Sequence, residues 1–247
     1  ILGSNAPDAD TALRLKDNSL YIRHHRGFSH ALPMIVIWPL IICGGISLFF
    51  TGINLLHLWL WTLLSVFLHV FADLFNTYGT QMLRPFSKKW ISWNVIPIFD
   101  PFIFTLHLVG CILWVVTPFS PGRIFAGVYA VLILYYVWRT AVHRRLEHAI
   151  RRTYPGGKRY TVIPTVKWTT WHVVAEWERA VRIGEFKRGQ LTWTERLTVN
   201  AKHHPAVKAA ERDMKIRRFL YFTDYAYPEL KRTTDGYEVR WVDVRYH

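Results

Sequence analysis

The 247-residue sequence is 51% hydrophobic and 16% aromatic, yet its formal net charge is +14. A single soluble domain rarely combines so much Trp, Phe and Leu with such an excess of cations, so the composition argues against that class. The two properties occupy different regions. Residues 1–150 hold 11 Lys and Arg against 6 Asp and Glu, whereas residues 151–247 hold 20 against 11. The sequence therefore predicts a membrane domain followed by a soluble one.

Four apolar runs follow one another closely, and each approaches the ~20 residues that an α-helix needs to cross a bilayer core. A soluble protein would have too little polar surface to cover them, so we predict a membrane α-helical bundle with at least four transmembrane helices. A further helix upstream of Ile1 is left open, because the sequence does not begin with Met. The four runs are residues 33–50, 55–72, 101–119 and 124–142.

Cations flank alternate ends of these runs. They precede the first run, occupy the 76–100 loop and follow the fourth run, whereas the 51–54 link has no charge. By the positive-inside bias, the N-terminal segment, the 76–100 loop and the C-terminal region face the cytoplasm. The pattern predicts a multi-pass protein of the inner or plasma membrane.

The residues after the fourth run have a different pattern. A basic helical exit over 143–157 ends at a Tyr-Pro-Gly-Gly breaker, and the residues after this breaker predict strands, one helix and a hairpin that turns at Asp235-Gly236. We therefore predict a transmembrane domain over 1–157 and a small cytoplasmic α+β domain over 158–247. Its strands are predicted at 159–171, 173–183, 230–234 and 237–244, and its helix at 205–219.

The sharpest polar feature is His69-Val-Phe-Ala-Asp73, near the cytoplasmic end of the second run. Residues four apart share one helix face, so this imidazole and this carboxylate can converge on one ion. Asn76 would extend the polar face if the helix continued, although Gly79 indicates that it ends. The alternative is a structural pair, with His69 bonded to a neighbouring helix and Asp73 at the interface. Ionisable residues at the end of a membrane helix favour the functional interpretation.

Residues 24–30, His-His-Arg-Gly-Phe-Ser-His, precede the first run. His25 and His30 are spaced for ligation, and the Arg26 guanidinium is suited to phosphate or carboxylate. Ser29 is explained as well by an N-cap of the first helix as by a catalytic role. A purely topological basic signal is a further alternative, but histidine is mostly uncharged at neutral pH.

Asp8 and Asp10 form a third group, which is weaker alone because such turns are common. The predicted topology lets all three groups meet at one place. A mixed set of nitrogen and oxygen ligands indicates zinc, manganese or iron rather than calcium. The set is large enough for one or two ions, and two-metal sites favour phosphoester hydrolysis by a metal-activated water.

Taken in order along the chain, these motifs resemble the membrane-bound metal-dependent hydrolases of the YdjM type, and more closely their YfhP-like members. The resemblance implies a metal-dependent hydrolase whose His/Asp pattern is similar to that of zinc-dependent phospholipase C enzymes. Carried over to this sequence, it implies Arg26 as anion binder and six metal ligands: Asp8, Asp10, His25, His30, His69 and Asp73. It rests on residues 6–10, 25–30, 69–73, 76–81 and 84–87, and continues through 100–102 into 236–241.

We therefore expect a hydrolase at the cytoplasmic leaflet that cleaves a phosphoester or lipid-linked bond. Asp10 or Asp73 is expected to act as the base and Arg26 to hold the anionic group, with further substrate contacts from Ser29 and Asn76. The expected partners are membrane lipids and a lipid or phosphorylated substrate.

A membrane-anchored binding or regulatory protein is the alternative, in which the basic C-terminal domain recruits anionic lipid or nucleic acid. The tail has no helix-turn-helix or zinc-finger signature, which argues against nucleic acid. An ion transporter is the least favoured class, because its polar residues would run through the whole bilayer depth instead of gathering at one end.

Overall fold

In the computed structural model, contacts divide the chain into two compact units. One is Ile1–Trp93 with the chain from Asn200 onward, and the other is Asn94–Val199. The segment from residue 158 onward, which we predict to be one domain, thus contributes to both units, and the boundary at residue 157 stays a prediction. The structure describes residues 1–246, apart from the side chains of Ser19, Ile22, Arg23 and Asn200.

The first unit is built on a pair of antiparallel helices, α3 (Leu32–Ser47) and α4 (Leu55–Asp73). Both are apolar, and Ile35, Val66 and Val70 form the buried contact between them. The link between the two helices is short, so the second helix returns alongside the first. This arrangement brings the C-terminal end of α4 next to the start of α3.

Helix α1 (Leu2–Asn5) packs on α4, and the 3₁₀ segment Ala6–Leu15 continues from it. The approach is close at Gly3, where an added Cβ would lie 3.1 Å from Thr62. This contact fixes where Asp8 enters the unit. The unit also contains α2 (Asn18–His24), the 3₁₀ segment Phe28–His30, α7 (Pro205–Ala210), α8 (Met214–Phe222), β5 (Ala226–Thr233) and β6 (Gly236–Asp243).

All four apolar runs are helices, and two of them are long and apolar enough to cross a membrane: α4 and α6 (Pro121–Thr153). Only 17% of the residues in the apolar window of each helix are buried, whereas the core helix of a soluble protein would be mostly buried. Helices α3 and α5 (Pro101–Val116) are apolar but shorter. The four-span prediction is therefore supported for two helices and stays a prediction for the other two.

The second unit contains α5, α6 and four antiparallel strands paired in sequence order. Helix α6 runs well beyond its apolar part, and its last turns bury Leu146 and Ile150 against the sheet. The strands are β1 (Arg159–Pro164), β2 (Thr170–Glu176), β3 (Ala180–Lys187) and β4 (Gln190–Thr198), and a 3₁₀ segment follows at Val199–His203.

The predictions for the region after residue 158 are confirmed only in part. Residues 159–183 enter three strands instead of two, and β4 was not predicted, because none of its residues is buried. The predicted helix at 205–219 is wrong as one element. Asp213 accepts the backbone N–H groups of Lys215 and Ile216 and so caps a new helix, α8. The hairpin around Asp235-Gly236 is confirmed.

Candidate metal centre

Four of the predicted ligands come from three separate parts of the first unit. Asp8 lies in the 3₁₀ segment that follows α1, and His30 lies just before α3. His69 and Asp73 lie one turn apart at the end of α4. His30 Nε2 lies 3.2 Å from Asp73 Oδ2 and 3.5 Å from Asp8 Oδ1. His69 Nε2 lies 3.5 Å and 3.7 Å from the same two oxygens.

These four facing atoms are buried, and none has a hydrogen-bond partner among the described residues. Buried polar atoms are nearly always paired, so four unpaired atoms that face one another indicate a shared ligand. Metal bonds of 2.0–2.1 Å place neighbouring donors of a tetrahedron about 3.3–3.4 Å apart, which is close to the observed separations. The donor chemistry and the spacing fit a divalent ion. The four atoms are Asp8 Oδ1, His30 Nε2, His69 Nε2 and Asp73 Oδ2.

A hydrogen-bonded chain sets the orientation of His30. Its Nδ1 lies 2.9 Å from Ser29 Oγ, which lies 2.5 Å from Asp10 Oδ2. Burial opposes the charged form of Asp10, but the bonds from His25 and Ser29 outweigh it and lower the pKa of Asp10, so this carboxylate only accepts. Ser29 therefore donates to Asp10 and accepts from His30 Nδ1–H, which leaves His30 Nε2 to bind an ion. The N-cap interpretation of Ser29 is wrong, because Ala31 is the N-cap of α3.

Asp73 is held by groups that bind only one of its oxygens. Arg26 Nη2 and Asn76 Nδ2 each lie 3.0 Å from Asp73 Oδ1, while Oδ2 faces the imidazoles. Arg26 Nη1 also donates to Asn76 Oδ1 at 3.0 Å. To reach this position the Arg26 backbone adopts φ of 58°, which is costly for a residue with a Cβ. Such strained residues persist where their surroundings hold them in place.

A second group of ligands shares Asp8 with the first. One atom each of Asp8, Asp10 and His25 lies within 4.8 Å of the other two. Here His25 Nδ1 and Asp10 Oδ1 already form a hydrogen bond of 2.8 Å. A second ion would have to displace this bond, so the group with four unpaired atoms is the stronger candidate.

The charges of the centre favour a cation. Burial opposes the charged form of Asp8, but the imidazoles of His30 and His69 lower the pKa of Asp8 well below its usual range. Burial likewise opposes protonation of His30, whereas the carboxylates of Asp73 and Asp8 raise the pKa of that imidazole. A proton and a divalent cation therefore compete for His30 Nε2.

The chain after α4 forms a loop that supports the metal centre. Helix α4 ends at Asp73, well before Gly79, so Asn76 reaches Asp73 from a turn and not from a continued helix. Asn76 Oδ1 accepts from the backbone N–H groups of Tyr78 and Gly79, at 3.0 Å each. Gly79 itself has φ of 67° and packs against the Ile91 carbonyl.

Gly79→Ala should therefore destabilise the protein. A Cβ at this position would overlap the Ile91 carbonyl oxygen, and the positive φ adds strain, so we expect a loss of about 3 kcal/mol or more. Gly52→Ala is the control, because Gly52 has φ of 78° but no atom within 4 Å of the added Cβ. We expect it to cost about 1–2 kcal/mol. Thermal unfolding in detergent measures the stability of both variants. Equal losses of stability would contradict the argument that Gly79 is closely packed.

Two residues far along the chain brace this loop, and sequence reasoning missed both. Arg245 Nη1 donates to the Thr77 carbonyl at 2.8 Å, while Asp243 pairs with Arg245 Nη2 at 2.6 Å. The Tyr221 hydroxyl accepts from Arg84 Nη2, also at 2.6 Å. Each is a single residue that belongs to no spaced motif and lies far along the chain from its partner. The sequence therefore contains no signal for these two contacts.

Comparison with known proteins tests the family resemblance. Residues 1–146 match the YdjM inner membrane protein family, and residues 205–247 match the YfhP C-terminal alpha/beta plait domain. The protein YfhP of Bacillus subtilis (strain 168) is 40% identical over 248 aligned residues, which cover 100% of this chain and 76% of that relative. No solved structure matches the chain. The resemblance is confirmed, and the chain belongs to the YdjM inner membrane protein family, among the members that carry the YfhP C-terminal domain.

Proposed function

We propose that this chain is a membrane-bound metal-dependent hydrolase that acts on a phosphoester or lipid-linked substrate at the cytoplasmic leaflet. The observation that carries the proposal is the set of four buried, unpaired donor atoms that face one another at the end of α4. A divalent ion held there, with zinc favoured, would supply Lewis acidity, and it would activate a water if it kept a coordination position open besides its protein ligands. Membership of an inner membrane protein family supports a substrate at or near the bilayer.

The two adjacent ligand groups support a phosphoester as the substrate class. Sites that hold two neighbouring ions are typical of phosphoester hydrolysis. Asp8 contributes to both groups, and its side chain is 39% exposed whereas that of His30 is fully buried. The side of the centre at Asp8 is therefore where a substrate would approach.

The side chains around the ligands act mainly by positioning them. From the sequence we expect Asp10 or Asp73 to be the base. Its lowered pKa makes Asp10 a weak base. We therefore assign Asp10 the role of orienting His30 through Ser29. Arg26 donates one N–H from each terminal nitrogen, to Asp73 and to Asn76, and its guanidinium keeps further N–H groups for a substrate anion.

We further propose that α3, α4, α5 and α6 all span the membrane and that the centre faces the cytoplasm. The start of α3 and the end of α4 both lie at the centre, so the two helices enter and leave the bilayer on that side. Arg84, Lys88 and Lys89 follow α4 in the sequence. By the positive-inside bias, these cations favour the cytoplasmic side.

Elemental analysis of the purified full chain tests the metal directly. The protein should contain at least one equivalent of a transition metal, because the four-atom group provides enough donors to hold one ion. His69→Ala and Asp73→Ala should each remove that equivalent, since each deletes one of the four donors. His57→Ala is the matched control on the same helix, because this imidazole accepts from Trp61 Nε1 and belongs to neither ligand group.

Folded wild-type protein that neither contains nor takes up zinc, manganese or iron would refute the proposal. If His57→Ala lost as much metal as the ligand variants, the loss would not be specific to the proposed ligands. Circular dichroism of each variant confirms that the helices are retained.

A further inference from the structure

A basic cavity lies in the second unit and uses none of the residues of the metal centre. It has a volume of about 380 Å³ and lies between the end of α6 and strands β3 and β4. Arg179, Arg182 and Arg196 line it, together with Trp177 and Tyr154. Cavities of this size hold small ligands.

Two of these arginines lie directly opposite each other. Arg182 of β3 is in register with Arg196 of β4, and residues so paired have Cβ atoms about 4.5–5.5 Å apart. Like charges at such a position destabilise a sheet. Within the part of the chain that the structure describes, no carboxylate forms an ion pair with Arg179, Arg182 or Arg196. The concentrated positive charge is therefore suited to an external anion.

Aromatic contacts fix one wall of the cavity. The Arg182 guanidinium lies 5.5 Å from the centre of the Trp177 ring. Trp177 Nε1 donates to the Pro155 carbonyl at 3.5 Å, and Trp193 packs edge-on against both Tyr154 and Trp177. These contacts hold Trp177 and Arg182, so this wall of the cavity loses little conformational freedom when a ligand binds, whereas Arg179 and Arg196 are exposed.

We propose that this cavity binds a phosphate group, either of a soluble molecule or of a lipid headgroup. Three guanidinium groups match the charge and the several oxygens of a phosphate better than the two oxygens of a carboxylate. The apolar run of α6 ends at residue 142 and the helix continues to Thr153, which is about 16 Å farther along its axis. In the proposed topology this distance places the cavity on the cytoplasmic side of the bilayer, where both sources are available.

Titration of the full chain with inorganic phosphate, in a maltoside detergent that contains no phosphate, tests the proposal by calorimetry. Wild-type protein should bind phosphate saturably. Arg182→Gln should weaken binding by about tenfold or more, because a charge-assisted contact is lost. Lys187→Gln is the matched control on the same strand, since Lys187 is exposed and does not line the cavity. Its affinity should equal that of the wild type.

Nanodiscs that contain phosphatidylglycerol distinguish the two sources. A headgroup in the cavity should suppress the phosphate titration of the wild type, whereas a site for soluble phosphate should be unaffected. Arg196→Gln provides a second variant with the same expectation as Arg182→Gln, and removal of either like charge should leave the sheet intact. Equal affinities in all variants, or no saturable binding in the phosphate-free detergent, would overturn the proposal.

Discussion

Asp8→Ala should remove both metal ions, because the Asp8 carboxylate belongs to both ligand groups. Under the two-ion arrangement we expect nearly two equivalents in the wild type and close to none in Asp8→Ala. His69→Ala should keep the group of Asp8, Asp10 and His25 and so lose only one equivalent. Hydrolysis of a chromogenic phosphodiester should fall to background in Asp8→Ala. Elemental analysis and the hydrolysis rate, measured on the same preparations, check both expectations.

Ser29→Ala is the control for this series, because it changes the support of a ligand and not a ligand. His30 would lose the bond that orients it, and such losses typically weaken metal binding by about 10–100-fold. Metal should therefore still bind at full stoichiometry, but at lower affinity. If Asp8→Ala kept the metal content of the wild type, the shared-ligand arrangement would be wrong.

Arg26→Ala should be among the most destabilising changes at the centre. The Arg26 and Asp73 side chains are 11% and 12% exposed, so removing the guanidinium leaves a nearly buried carboxylate without its cation. Breaking a buried ion pair in this way costs about 3–5 kcal/mol. Unfolding should be measured with a chelator present, because bound metal would itself stabilise the folded protein.

Arg26→Gly separates the loss of charge from the strain of the backbone. Both variants lose the guanidinium, but glycine adopts φ of 58° at no steric cost. The glycine variant should therefore be more stable than the alanine variant by about 1 kcal/mol. An alanine variant as stable as the wild type would contradict the role of the ion pair. The opposite order of the two variants would contradict the role of the backbone.

The sequence was sufficient for the parts of the molecule that depend on local patterns. Hydropathy located the four helices, and helix periodicity placed His69 and Asp73 on one face. The expectation that Asp8 and His30 would join them came from the predicted topology, since a helical hairpin brings its two ends together. The structure places these four side chains within reach of one ion.

The contacts that orient the ligands were beyond sequence reasoning, because they depend on partners distant in the chain. Ser29 accepts from His30 and donates to Asp10, and neither spacing nor residue type distinguishes this role from that of a cap. The positive φ of Arg26 had no signal in the sequence, since glycine, asparagine or aspartate is the usual residue in that conformation. Strand β4 was missed for a different reason, namely the lack of buried side chains.

The bond from Arg245 to the Thr77 carbonyl joins residues 168 positions apart. A ribosome adds about 5–20 residues per second, so roughly 10–30 s separate the synthesis of the two partners. Helices α3 and α4 have left the ribosome long before Arg245 exists, and the turn that holds Asn76 remains without this brace during that time. We therefore expect the complete centre to assemble late in biosynthesis, and metal loading to come after translation of the C-terminal hairpin rather than after insertion of the first helices.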